Sequence, residues 1–197
     1  HNARRFMSGL RSAARMKPVI VIKAGRHAAG SRAAMSHTGA LVGGDDVFEA
    51  ALDRAGAVRA RTIDQLFAAA QMLAERPAVA GDRLGIVTNA GGPGVLATDR
   101  AADLGVAVPE LADATRDRLD RVLPPHWSHA NPLDILGDAP PERYAEAVAA
   151  CLADPGMDGV LALLTPQAMT RPEAAAEAVS QAREEGHKPV LACWMGE

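Results

Sequence analysis

Aromatic side chains are nearly absent: three Phe, two Trp and one Tyr make up 3% of the 197 residues. A core built without them must be filled by Ala, Val and Leu, and a 48% hydrophobic content is enough to do so. Cysteine is scarcer still. Cys151 and Cys193 stand far apart and fit no zinc spacing, so two buried free thiols in a reducing cytoplasm are expected. No block of like charge occurs. The 21 Lys and Arg set against 24 Asp and Glu leave a formal net charge of -3, which argues against a nucleic-acid or membrane-surface binder. The longest apolar runs, such as PVIVI and GVLALL, are too short to span a bilayer, and no signal peptide is expected. The chain also lacks an initiator Met, opens inside a helical pattern at HNARRFMSGLRSAAR and stops just after PVLACW. It reads as a piece of a longer protein.

What is present is alternation. Short apolar runs at 18–22, 57–60, 84–88, 106–108, 159–165 and 189–194 are expected strands, separated by amphipathic patterns with clear punctuation. Residues 45–55 start with Asp45 and Asp46, place Val47, Phe48, Ala51, Leu52 and Ala55 on one face, and stop at Gly56. Thr62 and Gln65 form a capping box for a helix striped by Ile63, Leu66, Phe67, Ala70 and Leu73. Gly92-Pro93 opens another that Gly105 ends, and three more are expected near 113–123, 141–153 and 172–185. Alternation with continuous apolar strands predicts parallel sheets flanked by helices. A helix leading into KPVIVIKAG at 17–25 is echoed by one leading into KPVLACWMG at 188–196. Two α/β units of one kind follow, with a boundary near ERPAVAGD: residues 1–78 and 79–197.

Ligands of parallel sheets sit at the carboxyl ends of strands. Two connections there carry chemistry. KAGRHAAGSRAAMSHTGALVGG is long, rich in small residues, and places His37 between Ser36 and Thr38 with Gly39 after it. A neutral imidazole forms covalent intermediates and is readily available near neutral pH. A loop histidine that only hydrogen-bonds backbone is the alternative. LGIVTNAGGPGVLATD runs from a strand through Asn89, Ala90, Gly91 and Gly92 into a helix containing Gly94. Glycines admit an anion to backbone amides, and a helix N-terminus supplies free donors and partial positive charge. The spacing is neither GxGxxG nor a Walker loop, so a bare phosphate or phosphorylated side chain fits better than a dinucleotide. A ligand-free turn is the alternative. Asp134, in NPLDILGD, orients a loop or bonds to backbone. His126 and His129 would need further metal ligands that the chain does not offer, so no metal site is expected.

In this order, KPVIVIKAG, SHTGALVGGDDVFEAALDRAGAVRARTIDQL, LGIVTNAGGPGVLATD and NPLDILGD resemble the NDP-forming acyl-CoA synthetases. These are relatives of succinyl-CoA synthetase, and the resemblance points among them to the ADP-forming acetyl-CoA synthetases. The resemblance covers almost the whole chain. It implies two flavodoxin-like units, both truncated, of which the first carries a phosphohistidine loop. His37 matches the histidine that exchanges phosphoryl groups with an acyl phosphate and then phosphorylates ADP. The turn at Asn89, Ala90, Gly91, Gly92 and Gly94 matches one of two helix N-termini between which the phosphohistidine docks. Ser36, Thr38, Gly39 and Asp134 support these loops.

The same resemblance implies acyl-CoA as partner and CoA, ADP or ATP with Mg as cofactors, held by a Rossmann domain and an ATP-grasp domain whose motifs are missing here. Phosphate would sit near His37. The parent is then a cytoplasmic acid–thiol ligase, homodimeric in one form of assembly, while this piece alone turns nothing over. The alternative is a ligand-sensing, non-catalytic synthetase-like region fused to a GNAT lysine acetyltransferase.

Overall fold

The computed structural model describes residues 2–38, 43–74, 79–184 and 186–196, with backbone alone at 37 and 38. The chain divides into two compact units, residues 1–77 and 78–197.

Unit one begins with α1 (Ala3–Met16), whose N-cap Asn2 accepts a hydrogen bond from the Arg5 amide at 3.2 Å. Pro18 disfavours helical backbone at the preceding Lys17, which is extended where the helix ends. Then come β1 (Ile20–Ile22), α2 (Ala28–Thr38), α3 (Asp45–Ala55), β2 (Val58–Ala60) and α4 (Ile63–Ala74). The strands pair in parallel, Val21 opposite Arg59. Asp45 and Asp46 sit in the first turn of α3, and Gly56 closes it at a φ of 73°, a backbone that glycine adopts without strain. Leu10, Leu52, Ala55 and Ala57 are buried together, with Met7, Val19, Val21 and Phe48 packed against them.

Unit two runs β3 (Leu84–Thr88), α5 (Gly91–Asp103), α6 (Asp113–Val122), β4 (Leu133–Asp134), α7 (Pro141–Ala153), β5 (Gly159–Leu164), α8 (Pro172–Glu184) and β6 (Val190–Trp194). Its sheet is parallel throughout, in the order β4-β3-β5-β6. The connection from β3 goes to one side, and the one from β4 crosses back over β3 to β5. The direction therefore reverses between β3 and β5, and the carboxyl ends of those strands flank the crevice where such sheets take ligands. Trp127, Tyr144, Leu119, Leu133, Val148 and Val160 are central to a dense core that supports this edge.

The parallel α/β architecture agrees with the alternation in the sequence, and α3 and β3 have the boundaries read from it. Four expectations are corrected, and one strand is added to those expected. The connection after β1 is not structureless: α2 takes in Ser36, His37 and Thr38, although its Ala-, Gly- and Ser-rich run has no apolar stripe to signal a helix. Residues 106–108 do not form a strand; Ala107 makes one isolated bridge to Arg83, and Pro109, which has no amide hydrogen, follows at once. The two-residue β4 is too short for any periodicity. Exposure of Val47 (74%), Ile63 (64%), Phe67 (67%) and Ala70 removes them from the expected buried faces. On α4 the half-buried row is Leu66, Ala69 and Leu73, because two three-residue strands are too narrow to cover a second row. Of the two thiols Cys151 is buried, but Cys193 is exposed.

Candidate functional site

The turn between β3 and α5 is built by local bonds. The Thr88 hydroxyl donates to the Ala90 carbonyl at 2.9 Å and accepts from the Ala90 amide at 3.1 Å, which folds the chain sharply at the strand end. Ala90, extended at φ -150°, is the N-cap and offers no side-chain oxygen. Pro93 occupies the third helical position, where a missing amide hydrogen costs nothing. Among the described residues the amides of Gly91 and Gly92 have no acceptor, and both glycines are exposed. A Cβ at Gly92 would meet nothing within 4 Å. Gly94 is different. It is buried, and a Cβ there would lie 3.0 Å from the Thr88 methyl and 3.4 Å from Pro132, so the glycine lets helix and loop pack closely.

Asn89 is 2% exposed and spans the crevice. Its Nδ2 donates to the Thr165 carbonyl and its Oδ1 accepts from the Thr165 amide, both at 2.8 Å. The side chain thus clamps the end of β3 to the end of β5. Beneath it, the buried Tyr144 hydroxyl donates to the Leu163 carbonyl at 3.1 Å. Burial pushes that phenol above its ordinary range; a hydrogen bond from the Asn89 amide pulls it down and the Asp134 carboxylate adds to the rise. Tyr144 therefore stays a neutral donor.

Asp134 ends β4 beside β3. Its Oδ1 accepts from the Leu136 amide at 3.0 Å, and its Oδ2 lies 3.3 Å from where a Cβ on Gly91 would stand. The backbone around it is braced by Ser128. That hydroxyl donates to the Pro132 carbonyl at 2.7 Å and accepts from the Asp134 amide at 2.9 Å. The brace is itself anchored to α6, where Asp120 accepts from the Trp127 indole at 2.9 Å and pairs with His129 at 2.7 Å. Those bonds occupy His129, and among the described residues no three His, Cys, Asp or Glu side chains gather to hold a metal.

In unit one, His37 lies in the last turn of α2, and the Ser36 hydroxyl donates to the Ala33 carbonyl at 2.7 Å. Gly39 and the side chains of His37 and Thr38 lie outside the described residues. The glycine pair at 43 and 44 leads into an α3 N-terminus tied down by charge. One Asp45 oxygen takes Arg59 at 2.7 Å and Lys23 at 3.3 Å, and Arg59 also pairs with Glu49. Burial opposes ionisation of Asp45, but hydrogen bonds and charge from Arg59 and Lys23 hold it below the usual carboxylate range. Both cations stand over the Phe48 ring, at 5.6 and 6.0 Å. Sequence reasoning missed this triangle, together with Thr165, Tyr144 and Ser128. Thr165 carries a usable signal, since it closes the apolar run beginning at Gly159.

Parallel strands whose carboxyl edge opens through glycines into a helix without a side-chain cap define an α/β protein, and free amides of this kind are the chemistry that an oxyanion requires. A family described as succinyl-CoA ligase like flavodoxin domain matches residues 1–73, and one described as Ligase-CoA domain matches residues 84–197. The chain is 37% identical over 182 residues to the ADP-forming 4-hydroxybutyrate–CoA ligase of Nitrosopumilus maritimus, covering 91% of this chain and 26% of that protein. It is likewise 37% identical over 198 residues to the alpha subunit of ADP-forming acetate–CoA ligase II of Pyrococcus furiosus, covering 98% and 43%. Among solved structures, a dinucleotide-forming acetyl-coenzyme A synthetase 1 of Ca. Korarchaeum cryptofilum, in complex with phosphate and ADP, superposes with a TM-score of 0.88. Its sequence identity is 35%, over 98% of this chain and 42% of that one. The chain belongs to the ADP-forming acyl-CoA synthetase family, relatives of succinyl-CoA ligase. It spans between about a quarter and about two fifths of the length of these relatives.

Proposed function

We propose that the chain serves an ADP-forming acyl-CoA synthetase, which interconverts acyl-CoA, NDP and phosphate with the acid, CoA and NTP through phosphorylated His37. The observation that carries this reading is the family match along both units, with SHTGAL in the first and NAGGPG in the second. In this scheme residues 1–78 and 79–197 are two flavodoxin-like units. An imidazole nitrogen of His37 takes the phosphoryl group from an acyl phosphate, releasing the carboxylic acid, and later gives it to NDP. Ser36, Thr38 and Gly39 shape the carrier segment, and the Gly91 and Gly92 amides neutralise phosphoryl charge. Such transfer depends chiefly on positioning and electrostatics rather than on covalent chemistry by the protein. Asn89, through its grip on Thr165, and Gly94, through its packing, set the position of that turn.

CoA, nucleotide and Mg would be held by parts of the protein other than these residues. A cytoplasmic setting and a homodimer belong to the same proposal. No helix among the described residues is long and apolar enough to cross a membrane. The named relatives are ligases, which favours this reading over a ligand-sensing region of an acetyltransferase. The test is to incubate the full-length protein with γ-labelled NTP and magnesium. Base-stable, acid-labile label that vanishes in His37→Ala is expected; equal labelling of the variant would remove His37 from the mechanism.

A further inference from the structure

We propose that His129 is a proton-dependent brace. It ties the connection between α6 and β4 together through both ring nitrogens only while it is an imidazolium, and so makes the carboxyl end of β4 sensitive to pH near neutrality. The ring sits between two oxygens. Its Nδ1 is 2.7 Å from Asp120 Oδ1, and its Nε2 is 3.1 Å from the Pro125 carbonyl. A carbonyl can only accept a hydrogen bond, and so can an ionised carboxylate. Asp120 is kept ionised: the bond from the Trp127 indole, opposed by burial and aided by His129 and Arg116, holds it below the usual carboxylate range. Making both bonds therefore takes a hydrogen on both nitrogens. Either neutral tautomer makes one of them and turns a lone pair on the other oxygen. Histidine changes charge between pH 5 and 8, whereas carboxylates do so lower.

The charges around the ring come from α6. Asp120 is its ion-pair partner; Arg116, one turn earlier, faces the same carboxylate and is itself paired with Asp113 at 2.5 Å. From the connection itself the Trp127 ring lies against the imidazole, with centroids 4.7 Å apart. The backbone of His129 has a φ of 52°, a left-handed conformation that costs a side chain energy and that these contacts hold in place. Ser128, the adjoining residue, carries the restraint onward. Its hydroxyl donates to the Pro132 carbonyl and accepts from the Asp134 amide, and its own amide donates to the Asp134 carbonyl at 3.2 Å. Asp134 pairs with Thr88, and the Ile135 amide donates to the Thr88 carbonyl at 2.8 Å. A bond lost at the ring thus loosens a segment whose far end is fixed to β3.

The isotopically labelled chain, followed by NMR from pH 5.5 to 8, tests this directly. The His129 ring, the Trp127 indole and the Ser128 and Asp134 amides should titrate with one shared midpoint. His129→Asn tolerates the left-handed backbone and cannot titrate, so the indole and amide shifts should vanish in it. His126→Gln removes the other histidine of the connection and should leave them intact. Urea unfolding of unit two, read by Trp127 and Trp194 fluorescence, supplies the energetic side. Between pH 5.5 and 8 the unfolding constant should rise about threefold more in the native chain than in His129→Asn, the size of one exposed bond. Amides that stay still while the ring titrates, or midpoints that differ, would overturn the brace in the native chain alone. Shifts that persist in His129→Asn, or that disappear in His126→Gln, would assign the pH response to another group. An equal rise in the unfolding constant of both chains would show that protonation of the ring holds nothing in place.

Discussion

Asn89→Asp replaces one NH2 by an oxygen and so isolates the clamp between β3 and β5. In the native chain Asn89 is 2% exposed and exchanges two 2.8 Å bonds with the Thr165 backbone. The variant keeps the acceptor and loses the donor. The lost bond costs about 1 kcal/mol net, and leaving a buried polar group without its partner adds roughly 1–3 kcal/mol. Setting an ionised carboxylate against the Thr165 carbonyl adds on the order of another 1 kcal/mol, for a total of about 3–5 kcal/mol at pH 7. That is a large share of a domain's usual stability of about 5–15 kcal/mol.

The pH dependence has a definite sign. The protonated carboxyl can donate to the Thr165 carbonyl and the ionised one cannot, so folding raises its pKa above an unfolded value of about 3.9. The variant should therefore lie close to the native protein near pH 4 and fall progressively behind it as pH rises through the raised pKa. Both tryptophans, Trp127 and Trp194, lie in unit two, so urea unfolding followed by their fluorescence reports that unit alone. Asn89→Ala should show a gap that does not vary with pH. A loss under about 1 kcal/mol in Asn89→Asp at pH 7, or an equal loss at pH 4 and pH 7, would refute the clamp.

The same assay separates the glycines of the turn. Gly94→Ala should destabilise unit two by roughly 1–3 kcal/mol through its clash with Thr88 and Pro132, whereas Gly92→Ala, entering open space in a helix, should be neutral or stabilising by up to about 1 kcal/mol. Equal effects would contradict the packing role. At the other edge of the sheet, hydrogen bonds from the Arg83 side chain and amide hold the Asp158 carboxyl down to about 2 against the cost of burial. Its stabilising effect is present above about pH 4, where the unfolded carboxyl is ionised, and is lost as pH falls towards 2. Asp158→Asn should flatten the acid limb of the stability curve between those values; an unchanged limb would assign acid sensitivity to other groups.

Several elements were legible because their signals are local. The Asp45–Asp46 start and the Gly56 stop of α3 lie within one turn of the residues they govern, and the Thr62 and Gln65 caps of α4 form within four residues. In that box the Gln65 oxygen takes the Arg61 amide rather than that of Thr62, a one-residue shift that spacing does not reveal. The helix α2 leaves no apolar period because no described side chain on it is fully buried, and Ala107 reads like a strand residue because an isolated bridge and a strand share the same short apolar run.

Within the chain's own letters lay the parallel α/β alternation, the glycine turn at Asn89 and the family resemblance through SHTGAL and NPLD, since each depends on neighbours a few residues apart. The role of each residue in that turn was another matter. Asn89 meets Thr165 across 76 positions, and Asp134 comes beside Gly91 only because β4 aligns with β3. A side chain's free donors and acceptors are those left after its distant partners have taken theirs, and those partners are brought within reach by the closing of the sheet.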